Sequence, residues 1–181
     1  QKRELYSETG HDDYQKDISL QSCQANFITF AITALEDGVQ FFKGAYYGQF
    51  EDVHDTNIGI IICTFKREDY VKRNLKTLQE LMKENPHFHV MVIDNGRTLP
   101  ETRNEQLQVI HNRNYGGSGG FTRGLMEQVN QGTNNYVLMM DDDILIETSS
   151  LERVYALCRH IKGQYAQQMI AGSMMSMDEP T

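Results

Sequence analysis

Residues 58–94 read IGIIICTFKREDYVKRNLKTLQELMKENPHFHVMVID, and their pattern decides the fold. Ile58 to Cys63 is a short run dense in isoleucine, the composition of a parallel strand buried on both faces. Val71, Leu75, Leu78 and Met82 then recur at spacings of four, three and four, which predicts one apolar face of a helix ending before Pro86. Phe88 to Ile93 follows as a second buried strand. Strand, helix and strand in this order form a βαβ unit, so the expected class is α/β with a largely parallel sheet.

The same alternation continues toward the C-terminus. Leu107 to Ile110 is a third, shorter strand; a helix with Phe121, Leu125 and Val129 on one side follows the glycine cluster; Tyr136 to Met140 is a fourth strand. Ser149 with Glu152 reads as a capping box for a helix carrying Leu151, Val154, Tyr155, Cys158 and Ile161, stopped at Gly163. Met169 to Gly172 marks the start of a further strand. Toward the N-terminus the texture changes. NFITFAITA at 26–34 alternates like a strand, Asp37-Gly38 supplies a turn, and VQFFK and GAYYGQF resume β-type composition, with 51–57 as a polar linker. Residues 1–55 are therefore expected to be the C-terminal part of a β-sandwich or barrel-like domain with its linker. Residues 56–181 form the α/β portion. Gln1 in place of an initiator Met, and a stop just after an apolar run, lead us to expect a chain cut at both ends.

Bulk properties exclude several function classes. Seventeen basic against twenty-five acidic side chains give a net charge of −8, with no block of five or more like charges, which disfavours nucleic acid as a partner. The longest apolar runs are too short to cross a bilayer, and the N-terminus lacks a signal-peptide pattern. Cys23, Cys63 and Cys158 are odd in number and widely spaced, so they read as reduced, mostly buried thiols of a cytosolic protein. His54, His87, His89, His111 and His160 show no metal spacing and read as structural or surface residues.

In parallel sheets ligands collect outside the carboxyl ends of the strands. Here those ends are polar: Thr64-Phe65-Lys66-Arg67, Asp94-Asn95-Gly96, the Asn114 cluster, and Asp141-Asp142-Asp143. Three consecutive carboxylates after a buried strand repel one another, and a divalent cation resolves the conflict. Alternate side chains of an extended segment point the same way, so Asp141 and Asp143 are expected to share a site while Asp142 faces elsewhere. Oxygen ligands of this kind suit Mg²⁺ or Mn²⁺ with a substrate diphosphate. The competing reading is an acidic turn with solvated carboxylates. In Asn114 to Gly124, NYGGSGGFTRG, four glycines in five residues let the backbone pass close to a bulky ligand, and the following helix would aim its free N–H groups at it. The dinucleotide motif fails at Thr122 and the P-loop motif fails at Leu125, so both of those readings are rejected. A flexible loop remains the bland alternative for this segment, as an ordinary βα loop does for TFKR and an Asp-Asn-Gly turn does for Asp94.

Taken together, TFKR, Asp94, NYGGSGGFTRG, and YVLMMDDDILIE followed by SSLERV resemble glycosyltransferase family 2 with the GT-A fold. The ordered set NYGGSGGFTR, MDDDILIE and AGSMMSMDEPT is similar to the polymerising galactofuranosyltransferases that build cell-wall galactan, which also carry a β-rich domain before the GT-A domain. The resemblance covers about 56–181. It implies an inverting transfer of galactofuranose from a UDP donor to a glycan acceptor in the cytoplasm, with Mn²⁺ or Mg²⁺. It is compatible with peripheral attachment to the inner face of the membrane through a segment outside this chain, and with a homo-oligomer. By position, Asp141 and Asp143 are the implied D-x-D carboxylates, Asp143 as metal ligand and Asp141 near the ribose or the cation. Thr64, Arg67 and Asp94 surround the uridine, Asn114 and Gly117 lie along the nucleotide, and Arg123 stands near the diphosphate or donor sugar. The family's acceptor base and a further metal-binding His lie downstream of Thr181, so no catalytic residue is assigned and the 181 residues alone are expected to be inactive. The first motif departs from the family in having Cys63 and Lys66 where Pro and Asn are common. Rival readings are a family-2 transferase using a pyranose donor, and a nucleotide-sugar-binding module without turnover. A nucleotidyltransferase would want a glycine-rich basic loop after the first strand, and TFKREDY has no glycine.

Overall fold

The computed structural model describes residues 29–42 and 53–173 together with residues 7, 9, 10, 16 and 17. By chain contacts it divides into 1–47 and 48–181. In the second unit, strand β1 (Ile58–Thr64) is followed by helix α1 (Glu68–Glu84) and strand β2 (Phe88–Asp94). Next come a two-residue strand β3 (Thr102–Arg103), strand β4 (Leu107–His111), helix α2 (Gly116–Gln131) and strand β5 (Tyr136–Asp141). Helix α3 (Thr148–His160) and a 3-10 turn at Gly163–Tyr165 are the last elements among the described residues.

The sheet order is β3-β4-β2-β1-β5. All pairings are parallel except β3 with β4. Burial follows from that order. The central strands β1 and β2 are covered on both faces, which is why their sequences are almost continuously apolar, whereas the edge strand β5 leaves Val137 and Met139 exposed. One core cluster joins Ile58, Ile60 and Ile62 to Val71 and Leu78 of α1 and to Leu151 of α3. A smaller cluster on the opposite face joins Ile61, Met91, Ile93 and Ile110 to Phe121 of α2. The chain therefore runs β1, β2, β4 in one direction and then returns over the other face, through α2, to place β5 beside β1.

Helix α2 corrects one expectation. Its buried positions are Gly120, Gly124 and Gln128, while Leu125 and Val129 are exposed. The glycines are helical themselves, and they let the helix backbone lie directly on β1: a Cβ on Gly120 would overlap the Cys63 Sγ, and one on Gly124 would come within 2.5 Å of the Ile61 Cγ2. Gly59, which interrupts the isoleucine run, makes room in the same way for the buried Gln128 side chain.

Three expectations for the C-terminal elements are also corrected. No capping box forms at α3: its N-cap is Glu147, without a side-chain cap, and the Ser149 hydroxyl donates to the Glu147 carboxylate at 3.0 Å. That helix stops at His160 rather than running to Gly163, and Met169 to Gly172 carries no strand. In the first unit, 29–34 and 39–42 are assigned no strand although Glu36 to Gly38 does turn, and the Phe30 and Phe41 rings lie 6.2 Å apart. Alternation specifies two faces but supplies no pairing partner. The rest of the expected β-rich region, and Met174 to Thr181, lie outside the described residues.

Candidate functional site

Because β1 has β2 on one side and β5 on the other, the chain reverses direction across the sheet at β1. Crevices at such a switch point, outside the carboxyl ends, are where open α/β sheets take ligands. The register sets what stands there: Thr64 lies beside Asp94 and Cys63 beside Asp141. Lys66 turns the chain between β1 and α1 with φ of +55°, and Gly96 meets that turn so closely that a Cβ would stand 3.1 Å from the Lys66 amide nitrogen. A side chain there would push the two loops apart by a few tenths of an ångström.

β5 ends at Asp141, and Asp142 and Asp143 lie in a turn, so the strand's alternation does not continue through the three aspartates. Asp142 is turned inward and is 6% exposed. Its carboxylate accepts the Thr64 hydroxyl at 2.7 Å and an Arg67 Nη1 hydrogen bond at 3.3 Å, and its main-chain oxygen accepts the Asn74 amide at 2.8 Å. The same Arg67 Nη1 also donates to Asp143. That hydrogen bond first, and then the two negative charges, raise the Arg67 pKa and keep its guanidinium charged. The Asp141 carboxylate is exposed and makes no hydrogen bond with a described residue. Burial, with the Asp142 charge next, pushes the Cys63 thiol up, so this residue stays neutral beneath the site.

At the end of β2, Asp94 is fully buried, and its carboxylate accepts three loop amides: Gly96 at 2.8 Å, Thr98 at 2.7 Å and Leu99 at 2.8 Å. Its oxygens hold the loop and do not point into the crevice as free acceptors. Asn95 and Asn112 are joined at 2.9 Å, and the Asn95 amide donates to the Gly116 carbonyl at 3.1 Å, which fixes the start of α2 to the end of β2. At that start the Asn114 Oδ1 accepts the Gly116 N–H at 3.0 Å. A Cβ at Gly116 or Gly117 would meet nothing within 4 Å, so the two first glycines are the open ones and the later two are packed. One turn on, Arg123 is paired with Glu127 of its own helix through Nε at 2.8 Å and Nη2 at 2.6 Å.

The structure thus brings Thr64, Arg67 and Asp143 into one network and sets Asp94 beside Thr64 in the sheet. It leaves Asp141 outside that network and Arg123 on Glu127. Reading the sequence alone missed Asp142, Asn74, Asn95 and Asn112 as the residues that organise these loops. Asn74 carries a legible signal: it stands between Val71 and Leu78 on the buried face of α1, where an apolar residue is the norm. The histidines make local contacts, among them His87 to Asn57 at 3.0 Å, His89 to Asn134 at 2.7 Å and His111 to the Leu99 carbonyl at 2.7 Å.

Among the described residues, no three His, Cys, Asp or Glu side chains gather to hold a metal alone. A cation at this turn would take only part of its shell from protein. Asp141 has its carboxylate free, Asp143 leaves 45% of its side chain exposed, and a diphosphate with water would complete an oxygen shell for Mg²⁺ or Mn²⁺.

The family model described as "Glycosyl transferase family 2" matches residues 59–175, well over half of the 181-residue chain. Galactofuranosyltransferase GlfT2 of Mycobacterium tuberculosis (strain ATCC 25618 / H37Rv) is 28% identical over 189 residues, an alignment covering 96% of this chain and 29% of that protein. Galactofuranosyltransferase GlfT2 of Mycolicibacterium smegmatis (strain ATCC 700084 / mc(2)155) is 26% identical over 166 residues, covering 86% of this chain and 25% of that protein. The chain spans under a third of the length of these relatives. With its strand ends carrying the aspartate turn and its glycines at the start of α2, the chain belongs to glycosyltransferase family 2.

Proposed function

We propose that this chain carries the donor-nucleotide part of an inverting galactofuranosyltransferase that moves galactofuranose from UDP-galactofuranose to a growing cell-surface or cell-wall glycan. The observation that carries the reading is the aspartate turn at the β1/β5 switch point, with Arg67 beside it and the open backbone of Gly116 and Gly117 at the start of α2. A divalent cation bound there would offset the charge that develops on the UDP leaving group. Asp141 and Asp143 would hold it, and Thr64 and Arg67 would line the nucleotide. The amides that begin α2 offer donors to a phosphate. Asp94 acts by shaping the loop against which the uridine would rest. The base that takes the proton from the acceptor hydroxyl is assigned to no residue of this chain.

Similarity to two proteins named galactofuranosyltransferases supports the choice of donor. A cytoplasmic site is proposed on the free thiols of Cys63 and Cys158, which suit a reducing compartment. No helix among the described residues is long and apolar enough to cross a membrane. The test is a calorimetric panel on the chain with Mn²⁺, comparing UDP-galactofuranose, UDP-galactopyranose and dTDP-rhamnose. Preference for the furanose donor is the expected result, and preference for dTDP-rhamnose would assign the chain to another donor class.

A further inference from the structure

The middle aspartate and the arginine beside it are unexplained by a D-x-D reading, which uses only the outer two carboxylates. Asp142 is buried, and every polar contact it makes is internal: the Thr64 hydroxyl at the end of β1, Arg67 at the start of α1, and Asn74 in the second turn of that helix. Among the described residues, Arg67 is the only cation in ion-pair contact with any of the three aspartates, and it reaches Asp142 and Asp143 but not Asp141. Arg73, the next candidate, donates to the Ile144 carbonyl at 2.9 Å instead. One guanidinium nitrogen thus spans a buried carboxylate and an exposed one. The Asp142 carboxylate, buried against Thr64 and Arg67, has little access to water, whereas the half-exposed Asp143 carboxylate can exchange its partner.

We propose that Arg67 is the resident counter-cation of the aspartate turn. Anchored on Asp142, it neutralises Asp143 while the site is free of ligand and gives up Asp143, but not Asp142, to an incoming divalent cation. Asp142 is then a positioning residue. It binds no metal but decides where the displaced guanidinium stays, next to the crevice in which the diphosphate of the proposed donor would lie. This inference rests on the proposed function. It adds an internal competitor for the cation, so that cation affinity is set low until a nucleotide supplies a second anion for Arg67 to hold.

The test measures Mn²⁺ affinity by the free-ion electron paramagnetic resonance signal, without and with UDP, for the wild-type chain, Arg67→Met and Asp142→Asn. Without UDP, Arg67→Met removes the competitor and should bind Mn²⁺ about three- to fivefold more tightly, the size expected of a half-exposed ion pair. With UDP the order should reverse, because the arginine is then missing from the nucleotide side. Asp142→Asn leaves Arg67 with Asp143 alone, so Mn²⁺ binding without UDP should weaken. A purely structural role for Arg67 would move both conditions the same way. Unchanged or weaker Mn²⁺ binding by Arg67→Met without UDP would overturn the counter-cation role while leaving the functional reading intact. A wild-type chain that binds no Mn²⁺ even with UDP present would overturn both.

Discussion

Replacing Asp94 separates a residue that braces a loop from one that contacts a ligand. Its buried carboxylate accepts three amides, with one oxygen serving Gly96 and the other shared by Thr98 and Leu99. Hydrogen bonds to a charged group contribute about 1.5–3 kcal/mol each, and a buried donor left without a partner costs about the same. The Leu99 amide is the buried one, while those of Gly96 and Thr98 can recover water. Counting about 2–3 kcal/mol for the first and about 1 kcal/mol for each of the others, Asp94→Ala should destabilise by about 4–5 kcal/mol. Asp94→Asn can keep an oxygen on Thr98 and Leu99 but turns an NH₂ toward the Gly96 N–H, so about 2 kcal/mol is expected. Urea unfolding followed by far-ultraviolet circular dichroism suits a protein without tryptophan, with the midpoint falling in the order wild type, Asn, Ala at constant slope. An Asn variant within about 0.5 kcal/mol of wild type, or equal effects of Asn and Ala, would refute the brace.

The remaining expectations come from packing and burial. Gly124→Ala should destabilise by about 1–3 kcal/mol, since the Cβ would press on Ile61 and overpacking outweighs the gain in helix propensity. Gly117→Ala, with open space around it, should be neutral or stabilise by up to about 1 kcal/mol. If urea midpoints show both variants stabilised, α2 does not lie on β1 as closely as described. Asn74→Leu suits the apolar face of α1 but strands the Asp142 carbonyl, so a loss of about 1–3 kcal/mol is expected; a gain would mean that the α1-to-β5 contact contributes nothing. Burial raises the pKa of Cys63, Cys158 and Tyr136, so the fold favours their neutral forms. That preference is fully present below their unfolded values of about 8.5 and 10 and is lost as pH climbs through the raised folded values. The melting temperature should therefore fall steadily across the alkaline range, and a rise there would contradict the burial of these groups.

The fold was legible where burial was two-sided. The isoleucine run of β1 and the matching run of β2 can be read directly, because central parallel strands tolerate almost no polar residue, and the spacing of Val71, Leu78 and Met82 marks α1 as plainly. The edge was less legible. β3 is two residues long, too short for any periodicity, and the apolar character of Met169 to Gly172 suggested a strand that is not there. Helix α2 misled because its buried face is made of glycine and Gln128 rather than large apolar residues, so the rule that equates apolar with buried selected Leu125 and Val129 instead. At the candidate site, geometry redistributes the roles that the sequence suggests for the loops. Alternation predicts an extended strand through the aspartates, but β5 ends at Asp141, and the turn that follows buries Asp142 against Thr64 and leaves Asp143 with Arg67. Contacts that span about seventy residues of sequence, such as Asn74 with Asp142, leave no mark in either segment alone.

The claim that the β1 and β5 strand ends hold a nucleoside diphosphate through a divalent cation is tested most directly by calorimetric titration of UDP. The titration is made with Mn²⁺ and with a chelator, into the wild-type chain and into Asp143→Ala. Wild-type binding that requires Mn²⁺ and disappears in Asp143→Ala is the expected result. Binding of equal strength in the chelator, or wild-type affinity in Asp143→Ala, would contradict the metal assignment.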